Sequence, residues 1–106
     1  MNKLILAAAS LTIFLCGPAI AGDPAAGQKL SQTCVACHGP DGNSPSPEFP
    51  KIAGQHYDYL VKALKDYKSG ARKSPIMAPL VANLTQRDIE DLAAFYSSQR
   101  GLVIKY

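Results

Sequence analysis

The stretch Cys34-Val35-Ala36-Cys37-His38 decides how this chain folds. A Cys-x-x-Cys-His run is typical of a covalent haem attachment site. Two thiols at positions 34 and 37, on one turn of a helical segment, can reach the two vinyl groups at one edge of a porphyrin and form thioethers. His38 follows directly and is then placed to bind the iron through a ring nitrogen. The motif therefore predicts one haem c, attached through Cys34 and Cys37, with His38 as the first axial ligand.

The same cysteines fit two other kinds of site. A Cys-x-x-Cys pair can be a thiol–disulfide centre, but such centres usually occur in a βαβ context, and the sequence has no convincing strands. A structural zinc site needs four ligands. After residue 21 the chain offers only Cys34, Cys37, His38 and His56 as cysteine or histidine ligands, and Cys37 and His38 are adjacent. The haem interpretation is therefore favoured over both.

Residues 1–21 are interpreted as a cleaved signal peptide. Lys3 supplies the positive charge, residues 4–15 form an apolar core, and residues 19–21 (Ala-Ile-Ala) form a small-x-small cleavage site. The apolar run is short for a membrane span of ~20 residues, so cleavage is preferred to an uncleaved anchor. We expect an exported, periplasmic cytochrome c domain of residues 22–106 with no membrane anchor after cleavage.

The cysteine count agrees with this leader. Cys16, the third cysteine of the sequence, would leave with it. A lipid anchor on Cys16 is the alternative, but Leu15 before it is bulky where lipoprotein processing requires a small residue. The exported chain then keeps only the pair that haem needs, in a compartment that would otherwise oxidise that pair.

Length and charge indicate one small domain. The 106 residues carry a formal net charge of +3, which is too mild for the strong basic patch of a nucleic-acid binder. A domain of this size buries a modest share of its surface and often needs an additional support. A covalently held porphyrin would supply that support, as a large apolar plate around which short helices can pack.

Apolar periodicity and capping signals predict an all-α fold with three main helices. The first starts from an N-cap at Asp23, has proline at its first position and runs toward the cysteines. Gly27 interrupts it, and close contact with another helix is favoured over simple tolerance of the glycine. The second helix covers residues 55–69 and ends at Gly70.

The third helix begins with a capping-box pattern in residues 85–88 (Thr-Gln-Arg-Asp) and is ended by Gly101. Between the first and second helices, four prolines and three glycines in residues 39–54 exclude regular structure. A loop of this length in a small domain is usually functional or packed. A haem wall would give its apolar residues Phe49 and Ile52 something to pack against.

Met77 is the candidate for the second axial ligand. It is the only methionine after residue 21 and lies in a loop with a proline on either side, at positions 75 and 79. A thioether is a soft, neutral ligand that, paired with histidine, raises the reduction potential. Met77 could instead fill a gap in the core, and His56 is the rival ligand. Because the attachment motif lacks a sixth ligand, ligation by Met77 is preferred.

The sequence resembles the class I cytochromes c, and in particular the single-haem domains of bacterial dihaem cytochromes of the c-four type and their monohaem relatives. The likeness rests on a helix leading into Cys-x-x-Cys-His, the irregular loop, and a methionine between prolines ahead of the last helix. Three stretches carry it, residues 34–44, 52–55 and 77–84. In the dihaem relatives a second copy of this unit follows. This sequence ends at Tyr106, so one haem unit is expected here.

The resemblance implies two further roles. Pro50 matches the proline whose carbonyl accepts the Nδ1–H of the proximal histidine, here His38, which would orient the ring and strengthen its donation to iron. Gly27 matches the position at which the N-terminal helix crosses the C-terminal helix, near Phe95 and Tyr96. That match supports the helix contact inferred from Gly27 alone.

The implied function is one-electron transport between periplasmic or membrane-bound redox partners, such as an oxidase or reductase complex. His38 and Met77 would fill both axial positions of the iron, which predicts a carrier and not an enzyme. Lys68, Arg72 and Lys73 could steer an acidic partner, or form a merely solvated face. Two alternatives stay open, a cytochrome subunit of a larger dehydrogenase and, if Met77 is not a stable ligand, a ligand-binding or peroxidase-like haem protein.

Overall fold

A computed structural model describes residue 5, residues 7–12 and residues 22–103 of the chain. Helices and irregular segments make up this part, with no β-strand, so the predicted all-α fold is confirmed. The α-helices are α1 (Pro24–Leu30), α2 (Val35–His38), α3 (Tyr57–Ser69), α4 (Met77–Val81) and α5 (Gln86–Ser97), and a 3-10 turn (Ser31–Thr33) follows α1. No helix within those ranges is long and apolar enough to cross a membrane.

The decisive parts of the predicted leader, Cys16 and the cleavage site at residues 19–21, lie outside the described residues. Of the leader residues that are described, Ile5 is 89% exposed and Leu11 is 84% exposed. Neither side chain is therefore buried against the helical domain.

Helices α1 and α5 cross at Gly27, and this crossing holds the start of the domain against the core. Helix α1 begins at the predicted cap, where the Asp23 side chain accepts the backbone N–H of Ala25. A Cβ at position 27 would lie 1.9 Å from the carbonyl oxygen of Asp91 and 2.8 Å from Cβ of Phe95. Because only glycine permits that approach, the helix contact predicted from Gly27 is confirmed.

Asp91 is a buried carboxylate that the sequence pattern does not reveal. It is 5% exposed, and its Oδ1 accepts the backbone N–H of Asp23 at 2.7 Å. The same oxygen lies 3.3 Å from Nε of Arg87, one turn earlier on α5. The carboxylate of α5 therefore binds the segment that enters α1 and fixes the two helices relative to each other.

Two predicted helix ends have the expected capping residues, and one helix start differs from its prediction for a local reason. In the capping box of α5, the side chains of Thr85 and Asp88 each accept the other's backbone N–H, as predicted. Helix α3 ends at the predicted Gly70, whose φ is +86°. Its start is later than the predicted Gln55, because the Gln55 side chain accepts the N–H of His56 at 2.8 Å and His56 becomes the N-cap.

The prediction that α5 extends to Gly101 is wrong. The helix ends at Ser97, and the carbonyl oxygen of Tyr96 accepts the N–H of Gly54 at 2.9 Å. Gly101 instead lies against the loop, where a Cβ would be 2.6 Å from Cβ of Ala53. A contact between distant parts of the chain, and not a helix-breaking residue, decides where α5 stops.

The prediction that Met77 lies in a loop is also wrong, because Met77 is the first residue of α4. The Ser74 hydroxyl accepts the N–H of Met77 at 3.0 Å, and the Ser74 carbonyl accepts the N–H of Ala78 at 3.0 Å. Pro79 falls in the first turn, where N–H groups have no intrahelical partner and proline is tolerated. The proline that marks a loop in the sequence is therefore compatible with this short helix.

The core lies where α5 packs against α1 and α3. Its buried members are Leu60, Leu92, Ala93, Phe95 and Tyr96. Three half-buried residues of α3 pack against this cluster: Tyr57, Val61 and Leu64. The core thus brings α5 and α3 together beside the segment that carries the two cysteines.

Candidate functional site

A cavity of about 370 Å³ lies beside the core. Its lining includes all five site residues predicted from the sequence, Cys34, Cys37, His38, Pro50 and Met77. Apolar and aromatic residues of α3, α4 and α5 contribute much of the remaining wall. A concave, mostly apolar site of this size with a few convergent polar groups is typical of a cofactor or small-molecule site.

His38 is buried and its ring is held in one orientation. It is 7% exposed, and its Nδ1 lies 2.8 Å from the carbonyl oxygen of Pro50. A carbonyl oxygen can only accept, so Nδ1 carries the hydrogen and donates it. In the neutral ring the other nitrogen, Nε2, has the free lone pair, and this is the form of histidine that binds a metal.

The irregular loop positions Pro50 by folding back on Gly42. The Gly42 carbonyl accepts the N–H groups of Ile52 at 2.9 Å and Ala53 at 3.1 Å. Gly42 has a φ of +86°, and a Cβ there would lie 2.8 Å from both Ala53 N and Cδ1 of Tyr96. Glycine at this position therefore allows the loop to lie against α5 and to present the Pro50 carbonyl to His38.

The two cysteines occupy one turn beside the cavity. The N–H groups of Cys37 and His38 both bond to the carbonyl oxygen of Cys34, at 3.3 and 2.9 Å. Both thiols are half-buried and they are not joined in a disulfide. Within the described part of the chain, no group of three or more histidine, cysteine or acidic side chains could hold a metal ion. The arrangement thus lacks the ligand set of the zinc alternative.

Met77 also lines the cavity and is half-buried between more exposed apolar neighbours. Ile76 is 61% exposed and Leu80 is 44% exposed, and both line the cavity with Met77. His56, the rival ligand, is exposed at the N-cap of α3 and does not line the cavity. Of these two candidates, the structure brings only the methionine to the same cavity as His38.

Sequence reasoning missed an aromatic and basic cluster at the cavity. Tyr59 and Tyr67 of α3 and Arg72 after it all line the cavity. An Arg72 nitrogen lies 3.3 Å from the Tyr59 hydroxyl, and the guanidinium lies 4.7 Å from the centre of the Tyr67 ring. Arg72 was expected only as a surface charge, and nothing in its sequence neighbourhood reveals that two tyrosines hold it.

The described residues fit a haem. The walls are largely apolar, and His38, Met77 and both cysteines line the same cavity. Tyr96, which is 4% exposed, is part of the same lining. A largely apolar cavity that brings together an imidazole, a thioether and two thiols has the groups that a covalently attached haem requires.

Comparison with known proteins agrees with the site. The family model described as cytochrome c matches residues 24–99. The chain is 50% identical over 101 residues to cytochrome c4 of Pseudomonas aeruginosa, which covers 94% of this chain and 50% of that protein. It is 46% identical over 82 residues to cytochrome c-554(548) of Halomonas halodenitrificans, which covers 74% of this chain and 99% of that protein. The chain therefore belongs to the cytochrome c family.

Within that family the chain is a class I cytochrome related to the c4 type, and its cofactor is covalently bound haem c with its iron. The crystal structure of reduced recombinant cytochrome c4 from Pseudomonas stutzeri matches with a TM-score of 0.74 and 48% identity, covering 78% of this chain and 48% of that chain. The predicted class I fold is thus confirmed. The chain spans about half the length of the cytochrome c4 relatives it matches.

Proposed function

We propose that this protein is a one-electron carrier whose haem c is attached through Cys34 and Cys37, with His38 and Met77 as the axial ligands. The observation that carries the proposal is the 2.8 Å hydrogen bond between His38 Nδ1 and the Pro50 carbonyl. It prepares the histidine for metal binding in a cavity that both cysteines and Met77 also line.

Each residue has its own task in this proposal. Cys34 and Cys37 hold the cofactor by thioether bonds, and His38, oriented by Pro50, donates a nitrogen lone pair. Met77 donates a neutral sulfur, which favours Fe(II) and raises the reduction potential. When bound, haem c supplies the one-electron chemistry of its iron. With His38 and Met77 both bound to the iron, no position at the metal would remain for a substrate.

Other redox proteins are the proposed partners, and they would dock on the exposed rim of the cavity. Ile76 and Leu80 give this rim an apolar surface. Two of the three basic residues expected to steer a partner have intramolecular contacts. Lys68 donates to the carbonyl of Leu84, and Arg72 is held by two tyrosines. Because these partners are neutral, both side chains keep their positive charge, and we infer that they can steer an acidic partner toward a rim whose contact surface is apolar.

Redox titration of Met77 variants tests the axial ligands. Met77→His should keep a six-coordinate low-spin iron and lower the midpoint potential, because imidazole favours Fe(III) more than a thioether does. Met77→Ala should open the iron to cyanide. His56→Ala, a control outside the cavity lining, should change neither property. An unchanged potential in both Met77 variants would contradict the axial assignment.

The same proposal includes export, with removal of residues 1–21. The small-x-small site at residues 19–21 supports it. Intact-mass measurement on the protein from its producing cell should give a chain that starts at Gly22, carries one haem and lacks Cys16. A lipidated or uncleaved chain would show that the leader was misinterpreted.

Purification of the native protein from the same cells tests how it works with its partners. A carrier should be recovered on its own and should exchange electrons with separately purified redox proteins. Recovery in a stable complex with a dehydrogenase would instead favour the subunit alternative.

A further inference from the structure

Arg72 brings to the haem cavity a positive charge that no carboxylate offsets. It follows the end of α3 and lines the cavity. One guanidinium nitrogen donates to the Tyr59 hydroxyl at 3.3 Å, and the guanidinium lies 4.7 Å from the centre of the Tyr67 ring. A phenol hydroxyl and an aromatic face attract the cation without cancelling its charge. No ion pair among the described residues includes Arg72.

The two tyrosines hold this charge in one place. Tyr59 and Tyr67 are about two turns apart on α3, and both line the cavity. An arginine side chain has many rotamers, and it loses entropy when a ligand fixes it. Contacts on two sides of the guanidinium reduce that loss in advance. The cavity therefore has a cation that is already positioned at its wall.

Two other charged side chains occur among the described lining residues, Glu48 and Lys51. Both are exposed and belong to the irregular loop. Glu48 has the wrong sign to bind an anion. Lys51 has the right sign, but its ammonium is a point charge that lacks the planar fork of a guanidinium. Arg72 is therefore the best candidate in the lining for binding a carboxylate.

We propose that Arg72 binds a propionate carboxylate of the haem, and that Tyr59 and Tyr67 position the guanidinium for this bond. The inference rests on the haem occupying this cavity. A haem carries two propionates, which are ionised at neutral pH, and an ionised carboxylate left unpaired at an apolar cavity is unfavourable. A guanidinium matches a carboxylate with two parallel N–H···O bonds. Pairing offsets negative charge that would otherwise favour Fe(III), so Arg72 raises the reduction potential.

The pair does not remove Arg72 from the surface that a partner meets. Arg72 is exposed, and a guanidinium has five N–H donors, so donors remain for an acidic partner. The two roles have different consequences. Steering changes the rate of electron exchange with a partner, whereas binding a propionate changes the potential of the isolated protein.

The midpoint potential of the isolated Arg72→Gln holoprotein tests the pair, and we expect it to fall. Arg72→Lys should fall less, because it keeps the charge and loses only the fork. Lys73→Gln is the matched control, since Lys73 is the next residue, is exposed and does not line the cavity. That variant should keep the parent potential. An unchanged potential in Arg72→Gln, or an equal decrease in Lys73→Gln, would overturn the proposal.

The pH dependence of the potential identifies the carboxylate. Arg72 favours the ionised propionate and so lowers its pKa. In Arg72→Gln the pH at which the potential changes should therefore rise by about 1 unit or more. The change should persist in Glu48→Gln, because the propionate and not Glu48 is the titrating group. A pH dependence that does not move in Arg72→Gln, or that disappears in Glu48→Gln, would also overturn the proposal.

A double variant tests the positioning role of Tyr59. Tyr59→Phe removes only the hydroxyl that accepts from Arg72, so it should lower the potential less than Arg72→Gln does. Added to Arg72→Gln, it should lower the potential no further. A further decrease in the double variant would refute a role that acts through Arg72.

Two measurements on the parent and on Arg72→Gln separate this inference from the proposed function. Acid–acetone extraction tests the covalent attachment, and the low-spin absorption spectrum tests the axial ligands. Extractable haem or a high-spin spectrum in the parent protein would refute the proposed site itself. Retained haem and a parent-like spectrum with an unchanged potential in Arg72→Gln would refute only the bond to the propionate.

Discussion

The His38 side and the Met77 side of the haem cavity are built in different ways. His38 is 7% exposed, and its ring nitrogen is bound to the carbonyl of Pro50 in a loop that lies against α5. Met77 begins a short helix whose neighbours Ile76 and Leu80 are exposed. Its backbone N–H is held locally, by the Ser74 hydroxyl.

The two proposed axial ligands therefore differ in how much of the fold supports each of them. Moving His38 would disturb the attachment turn, the loop and the crossing of α1 and α5 together. Moving Met77 requires only a local change in α4, since regions with few buried contacts open at the lowest free energy. We therefore expect the His38 side to resist perturbation and the Met77 side to yield first, both to competing ligands and to a docking partner.

The largest expected effect follows from removing the covalent attachment on the His38 side. In the Cys34→Ala, Cys37→Ala double variant, acid–acetone should extract all of the haem, because only axial bonds would hold it. Met77→Ala should leave the haem covalently attached. Haem that stays with the denatured double variant would mean that other residues attach it.

The next largest effect is expected at the crossing of α1 and α5, which supports the His38 side. In Gly27→Leu the side chain would collide with the α5 backbone, and we expect the free energy of unfolding to fall by about 3 kcal/mol or more. Gly70→Ala is the contrast at the end of α3, because no atom lies within 4 Å of a Cβ there. It should cost only about 1–2 kcal/mol, for its left-handed backbone. Denaturant unfolding of both holoproteins measures the difference, and equal losses would contradict the asymmetry.

A smaller effect is expected from a variant on the Met77 side, where it tests whether that side opens more easily. Ser74→Ala removes the hydroxyl that accepts the N–H of Met77, which costs about 1 kcal/mol. If that cost destabilises the conformation of α4 in which Met77 binds the iron, cyanide should bind the oxidised protein about fivefold more tightly. Ser98→Ala, at the end of α5, also removes a hydroxyl bonded to the backbone and should leave cyanide affinity unchanged. Equal effects of the two variants would show that the Met77 side is not selectively labile.

The smallest effect concerns acid stability of the loop beside His38. Hydrogen bonds from the Asn43 side chain and backbone lower the pKa of Asp41 below its ordinary value of 3.8. The stabilisation is therefore complete above the ordinary pKa and is lost as the pH falls through the lower pKa of the folded state. Asn43→Ala should weaken this acid dependence. In an Asp41→Asn chain it should leave the remaining acid dependence unchanged, although loss of the bond from Asn43 to the Arg100 carbonyl should lower stability at every pH. Unfolding curves between neutral and acid pH measure it.

The features that could be predicted from the sequence are those set by neighbouring residues. The spacing of Cys34, Cys37 and His38 places three groups on one turn wherever that turn lies in the fold. The caps at Asp23 and Thr85 depend on side chains that bond to the backbone within the next few residues. These bonds form locally, which is why both helix starts were predicted correctly.

Features that depend on distant contacts were decided only by the tertiary structure. The end of α5 depends on the N–H of Gly54, and burial of Asp91 depends on the segment that enters α1. The start of α4 at Met77 depends on the turn at Ser74, where a proline in the first helical turn removes no needed hydrogen bond.

The haem site combines both kinds of determination. By itself the sequence determined which residues have the chemistry to attach and ligate the cofactor, because thiol, imidazole and thioether are properties of single side chains. Only the tertiary structure decided that Pro50 orients His38 and that two tyrosines hold Arg72 at the cavity wall. The reason is physical, since hydrogen-bond partners and burial are set by which distant segments pack together, and a linear pattern does not specify those contacts.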